Sequence, residues 1–156
     1  MTRSIELFEQ AIALDPDFAD AHAGLADANL LLYNFGLRSY DEVLPKARQS
    51  VSRALQLNPK LAEAYTSQAL IQLLADHDWP AAEQSLRRAL ELDPHNASAL
   101  LRYGFFLAGV GSFDQALAKL SKANEIDPLS PMVQADIHWC ISAPSVIRRR
   151  LKNSKG

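Results

Sequence analysis

At 156 residues, with 48% hydrophobic and 22% charged side chains, the chain is long enough for one globular domain with its own core. The net charge of −2 hides a division: five of the 16 Lys and Arg lie in residues 148–156, leaving 11 bases against 18 acids before them, a net of −7. An acidic body argues against a broad nucleic-acid surface, no run of about 18 apolar residues is present to span a membrane, and one cysteine cannot form an internal disulfide.

In chain order, residues 3–14 carry the apolar spacing of a helix, and Pro16-Asp17 leads into a second helix from about Phe18 to Leu32. Segment 33–44 follows as an inserted loop. Gly36 breaks the pattern there, and Ser39 with Glu42 has the spacing of a capping box. Pro45 suits a first helical position, so a short turn at 40–43 and a regular helix from about 45 to 57 are predicted. Tyr33, Phe35 and Tyr40 are expected to cover the open edge of this hairpin rather than to form a binding loop. The turn Ala75–Pro80 offers Asp78 as an N-cap and Pro80 in the next first turn. Leu100, Tyr103, Gly104, Leu107 and Ala108 then form one buried stripe, which Gly109 and Gly111 end. Ser112 and Gln115 predict a second capping box, followed by Phe113, Ala116, Leu120 and Ala123 on one face, up to Asp127-Pro128. Residues Pro131–Ser142 read as one more helix, for about eight in all, and the basic residues after Ala143 as a frayed tail.

The segments are copies of one another. Prolines stand at Pro16, Pro59, Pro94 and Pro128, with Ala11, Ala54, Ala89 and Ala123 five residues before them. Seven earlier come Ser4, Ala47, Ala82 and Ala116, two turns away on the same face, with Phe8, Val51, Leu86 and Leu120 between. Ala26, Ala69 and Gly104 hold matched small positions in the first helices. These columns resemble the tetratricopeptide repeat (TPR), a helix–turn–helix of 34 residues; the proline spacings here are 43, 35 and 34. His22, Tyr65 and Leu100 replace the family's favoured Trp, and Gln68 stands where Leu is usual. The resemblance implies an all-α, right-handed solenoid of antiparallel hairpins over residues 1–142: a half repeat at 3–16, repeats at 17–59, 60–94 and 95–128, a capping helix at 129–142, and a basic tail at 143–156. The half repeat lacks its first helix, which reads as a capping helix or, the preferred reading, as a segment of a longer chain; the repeats resemble TPR segments attached to bacterial regulatory proteins.

Nothing in the sequence assembles a catalytic or cofactor site. His138 and Cys140 lie about 200° apart on a helix, His22, His77 and His95 are isolated, and Gly109-x-Gly111 lacks the strand and third glycine of a nucleotide loop. No enzyme activity, metal or cofactor is expected. The TPR resemblance implies instead a groove lined by the first helices, here Asp20, Asp27 and Leu30, then Glu63, Thr66, Leu70 and Leu73, then Leu101, Phe105 and Trp139. Its acidic and apolar ends would suit a basic and hydrophobic protein segment. The family's clamp for acidic chaperone tails finds only Arg102 of its cations here, and Asp27 would repel an anion. Two alternatives remain: self-association through the solenoid ends (Ile5, Ile12, Ile137 and Trp139), and, less favoured, anionic contact by the basic tail. A cytoplasmic location is expected.

Overall fold

Seven α-helices in sequence make up the described part of the chain, with no strand among the described residues. The computed structural model describes residues 2–129 together with Gln134, Ile137, His138 and Cys140. The helices are α1 (Thr2–Leu14), α2 (Ala19–Asn34), α3 (Tyr40–Leu57), α4 (Ala62–Ile71), α5 (Trp79–Leu92), α6 (Ala97–Gly109) and α7 (Phe113–Ile126), with a π-helical segment, Gln72–Asp76, after α4. Most of the expected eighth helix, Trp139 and the basic tail lie outside the described residues. The chain divides into two compact units, Met1–Pro94 and His95–Gly156.

The repeated columns are the core. Ala47, Val51 and Ala54 of α3, Ala82, Leu86 and Ala89 of α5, and Ala116, Leu120 and Ala123 of α7 are all at most 4% exposed. Spacings of four and three keep each triplet on one helical face, and the flanking alanines let the partner backbone come close. In the first unit, Ala26 and Leu30 of α2, Ala47 and Val51 of α3, and Leu70 and Ile71 of α4 form one cluster. Ala19, Ala23, Ala54, Leu61 and Ala64 form another. In the second unit α6 packs along α7, and the two helices come close at Gly104. A Cβ there would lie 2.6 Å from Leu120 Cγ and 3.3 Å from the Ala116 carbonyl.

Three local features differ from the sequence expectation. Helix α3 begins at Tyr40, not Pro45, and runs through the proline. Pro45 is the sixth helical residue, so its missing amide deprives only the carbonyl of Asp41, an exposed residue. The first turn is held by the Glu42 carboxylate accepting from Ser39 N–H at 3.1 Å and by Val43, 2% exposed. At Ser112 the expected capping box is absent: the serine is the N-cap but its side chain caps nothing. Its N–H already closes α6 by donating to Leu107 O at 2.8 Å, so Gln115 has no amide to receive. The first helix of the second repeat, finally, ends in the π segment, after which His77 takes a left-handed conformation, φ 51°. Arg48 of α3 binds Asp76 there through both terminal nitrogens, and this hydrogen bonding raises the Arg48 pKa.

In the inserted loop, Tyr33 and Tyr40 meet edge to face at 5.2 Å, while Phe35 stays 54% exposed. The Tyr40 hydroxyl is buried with no protein partner, and burial raises its pKa. Tyr40→Phe keeps the ring contact and removes a desolvated hydroxyl. Thermal denaturation is expected to show stability unchanged or raised by up to about 1 kcal/mol. A clear loss would mean that the hydroxyl carries a bond.

Candidate partner-binding faces

The residues expected to line the groove separate by depth. On α2, Asp20 is exposed and Asp27 half-buried, while Ala23 and Leu30 are buried at 2% and 0%. On α4, which packs against α2, Glu63 is exposed. Thr66 is buried, with Oγ1 donating to Ala62 O at 2.9 Å. Leu70 and Leu73 are buried as well. Leu30 and Leu70 therefore belong to the core cluster beneath this face, and Thr66 bonds within its own helix, so these three side chains lie deeper than a groove surface requires. The burial has a geometric cause. Ten residues advance a helix by about 1000°, so Leu30 sits roughly 80° around α2 from Asp20 and faces α3 and α4. What remains at the surface in the first unit is acidic: Asp20, Asp27 and Glu63.

The second unit presents an apolar face. Helix α6 buries Leu100, Tyr103, Phe106 and Leu107, yet leaves Phe105 60% exposed and Leu101 half-buried one turn before it. The Asn96 side chain caps α6 by accepting from Ala99 N–H at 2.8 Å, which fixes where the helix begins and so which residues face out. Lys119 of α7 lies 5.4 Å from the Tyr103 ring centroid, packed on the inner side of the same helix. Cys140 is buried and His138 exposed. Among the described residues no cluster of His, Cys, Asp or Glu could hold a metal ion, and no helix is long and apolar enough to cross a membrane. Sequence reasoning passed over one polar group, the carboxamides of Gln68 and Gln72; the signal was Gln68 itself, an amide in a column otherwise filled by Leu25 and Tyr103.

Comparison with known proteins agrees with this architecture. Two family models, each described as tetratricopeptide repeat, match residues 2–36 and 73–135, together more than half of the chain. The chain belongs to the tetratricopeptide repeat family. Its fold class is all-α and TPR-like, a solenoid of helix hairpins. It resembles a thermophilic TPR protein of Thermus thermophilus at 22% identity and TM-score 0.68, over 88% of this chain and 71% of that one. YrrB, described as a TPR protein with an unusual peptide-binding site, matches at 19% identity and TM-score 0.57, over 92% and 69%. A monomeric IFIT1 mutant solved with Gppp-AAAA matches at 23% identity and TM-score 0.79, over 97% of this chain but only 33% of that one. At these identities the likeness shows the fold alone. No match is found among curated proteins. TPR repeats generally mediate protein–protein interaction, and TPR proteins are generally non-enzymatic scaffolds.

Proposed function

We propose that this chain is an interaction module that holds a partner protein on the outward faces of its first helices. Asp20, Asp27 and Glu63 receive basic side chains, and Leu101 with Phe105 receives apolar ones. The observation that carries this reading is Phe105. It is 60% exposed within a helix that buries Leu100, Tyr103, Phe106 and Leu107 and leaves only Leu101 half-buried beside it. Burying such a ring against a partner contributes about 1.5–3 kcal/mol, the size expected of an interface anchor. The acidic face adds selection by charge and a faster encounter rather than much affinity.

The test is affinity capture from nuclease-treated native lysate, comparing the parent with the Leu101→Lys, Phe105→Lys double variant at equal helical content. A protein retained by the parent and lost by the variant is expected. A partner held equally by both would remove α6 from the binding surface. A second reading, self-association, rests on Leu7 and Leu14 of α1, which lie seven residues apart on one helical face and are 55% and 89% exposed. Capture of nothing but further copies of the chain would favour it.

A further inference from the structure

The side of α4 away from Glu63 carries a second surface. Gln68 is five residues beyond Glu63, roughly 140° around the helix, and Gln72 follows one turn later; both are half-buried. Ser85 of α5, itself 7% exposed, donates to Gln72 Oε1 at 2.8 Å and reaches Gln68 Oε1 at 3.5 Å. The two carbonyl oxygens are thereby drawn to one hydroxyl. The two Nε2 amino groups donate to no protein group among the described residues; the Gln72 carboxamide is oriented by its bond to Ser85, with the Gln68 carbonyl at the edge of hydrogen-bond distance from the same hydroxyl.

Two open clefts flank this pair and share it as their floor. One, of about 530 Å³, lies between α3 and α4, with Ser52 and Gln56 on its wall. The other, of about 520 Å³, lies between α4 and α5, with Gln84 on its wall. The cations beside them are matched by acids: Arg48 by Asp76, Arg87 by Glu83, Arg88 by Glu91. The surface offers amide donors and acceptors without surplus charge, which does not suit a nucleic acid or an acidic ligand.

We propose that Gln68 and Gln72 form a second binding site, which holds an extended, uncharged polypeptide segment by its main-chain carbonyls. The spacing supports this. Residues four apart on a helix are about 6 Å apart along its axis. Carbonyls on the same side of an extended chain recur every two residues, about 6.6–6.8 Å. The repeat of acceptors along an extended segment thus matches the axial spacing of the two glutamines, and the peptide unit's own N–H can reach the amide and hydroxyl groups of the walls. Side chains of the segment would alternate between cleft and solvent, so recognition depends on backbone conformation and the absence of charge more than on sequence.

The probe is a displayed library of random twelve-residue peptides, panned on the Leu101→Lys, Phe105→Lys variant so that the α6 face takes no part. Enriched peptides are then measured against Gln68→Leu and against Gln56→Ala. Gln68→Leu restores the residue type that Leu25 supplies in the same column and is expected to fold; Gln56 is an exposed wall residue whose loss leaves the core untouched. The expected result is a set of uncharged peptides whose affinity falls at least tenfold with Gln68→Leu and severalfold with Gln56→Ala. Amide-to-ester replacement at alternate peptide residues should weaken binding more than alanine substitution of the side chains. The proposal is overturned if no peptide is enriched, or if enriched peptides bind Gln68→Leu as tightly as the parent. It also fails if they are charged and lose affinity with salt, or are helical when bound.

Discussion

Replacing Gly104 by leucine is expected to cost about 3 kcal/mol of stability, read by chemical denaturation with the loss confined to the second unit. The reason is the approach of α6 to α7. Even a methyl group at this position would lie 2.6 Å from Cγ and 2.7 Å from Cδ2 of Leu120, a side chain that is itself fully buried. Two opposed effects can be weighed with Gly104→Ala. Alanine gains about 1 kcal/mol of helix propensity over glycine, but it forces a packed leucine to move with the Ala116 carbonyl 3.3 Å away. The packing effect should win, leaving Gly104→Ala less stable than the parent. In a Leu120→Ala background, which alone costs about 2–5 kcal/mol, the same glycine substitution should become neutral or stabilising, because the obstructing atoms are gone. Strictly additive effects would show that the two positions do not meet.

Leu30→Ala is expected to destabilise the first unit by about 2–5 kcal/mol, whereas Phe105→Ala should change stability by no more than about 0.5 kcal/mol. Leu30 is 0% exposed and shares a cluster with residues of α3 and α4, so its deletion leaves a cavity walled by three helices. Phe105 is mostly in solvent, and its loss removes little intramolecular contact. The order should reverse for partner binding: Phe105→Ala lowers affinity more than tenfold, while a folded Leu30→Val variant leaves it unchanged. A stable Leu30→Ala protein with impaired binding would return Leu30 to the binding surface.

These two residues also show what the sequence could and could not reveal. The small–large–small columns were legible because they need only a fixed period and residue size. Ala116, Leu120 and Ala123 can be placed on one buried face without knowing what covers it. Depth across a helix was not legible in the same way. Asp20 and Leu30 belong to one ladder of three- and four-residue steps, but that ladder winds around α2 until its far end meets the neighbouring helices. Which rung passes under α3 and α4 depends on packing that no single helix encodes. The π segment escaped notice for a related reason. The residues from Ala75 to Pro80 mark a turn, yet nothing in them fixes where the preceding helix widens. Pro45 misled in the opposite sense: a local rule placed the start of α3 there, and five residues of helix held by Glu42 and Val43 overrode it.

The central claim is that the outward faces of the first helices meet a partner protein, and site-specific photo-cross-linking tests it most directly. A photoreactive phenylalanine analogue would replace Phe105, with Leu14, 89% exposed on α1, as the control position. Irradiated in native lysate, the Phe105 probe should form a discrete adduct with a second polypeptide. The Leu14 probe should not form that adduct, and added Leu101→Lys, Phe105→Lys protein should fail to compete it away. No adduct from position 105, the same adduct from both positions, or adducts only with further copies of the chain would contradict the claim.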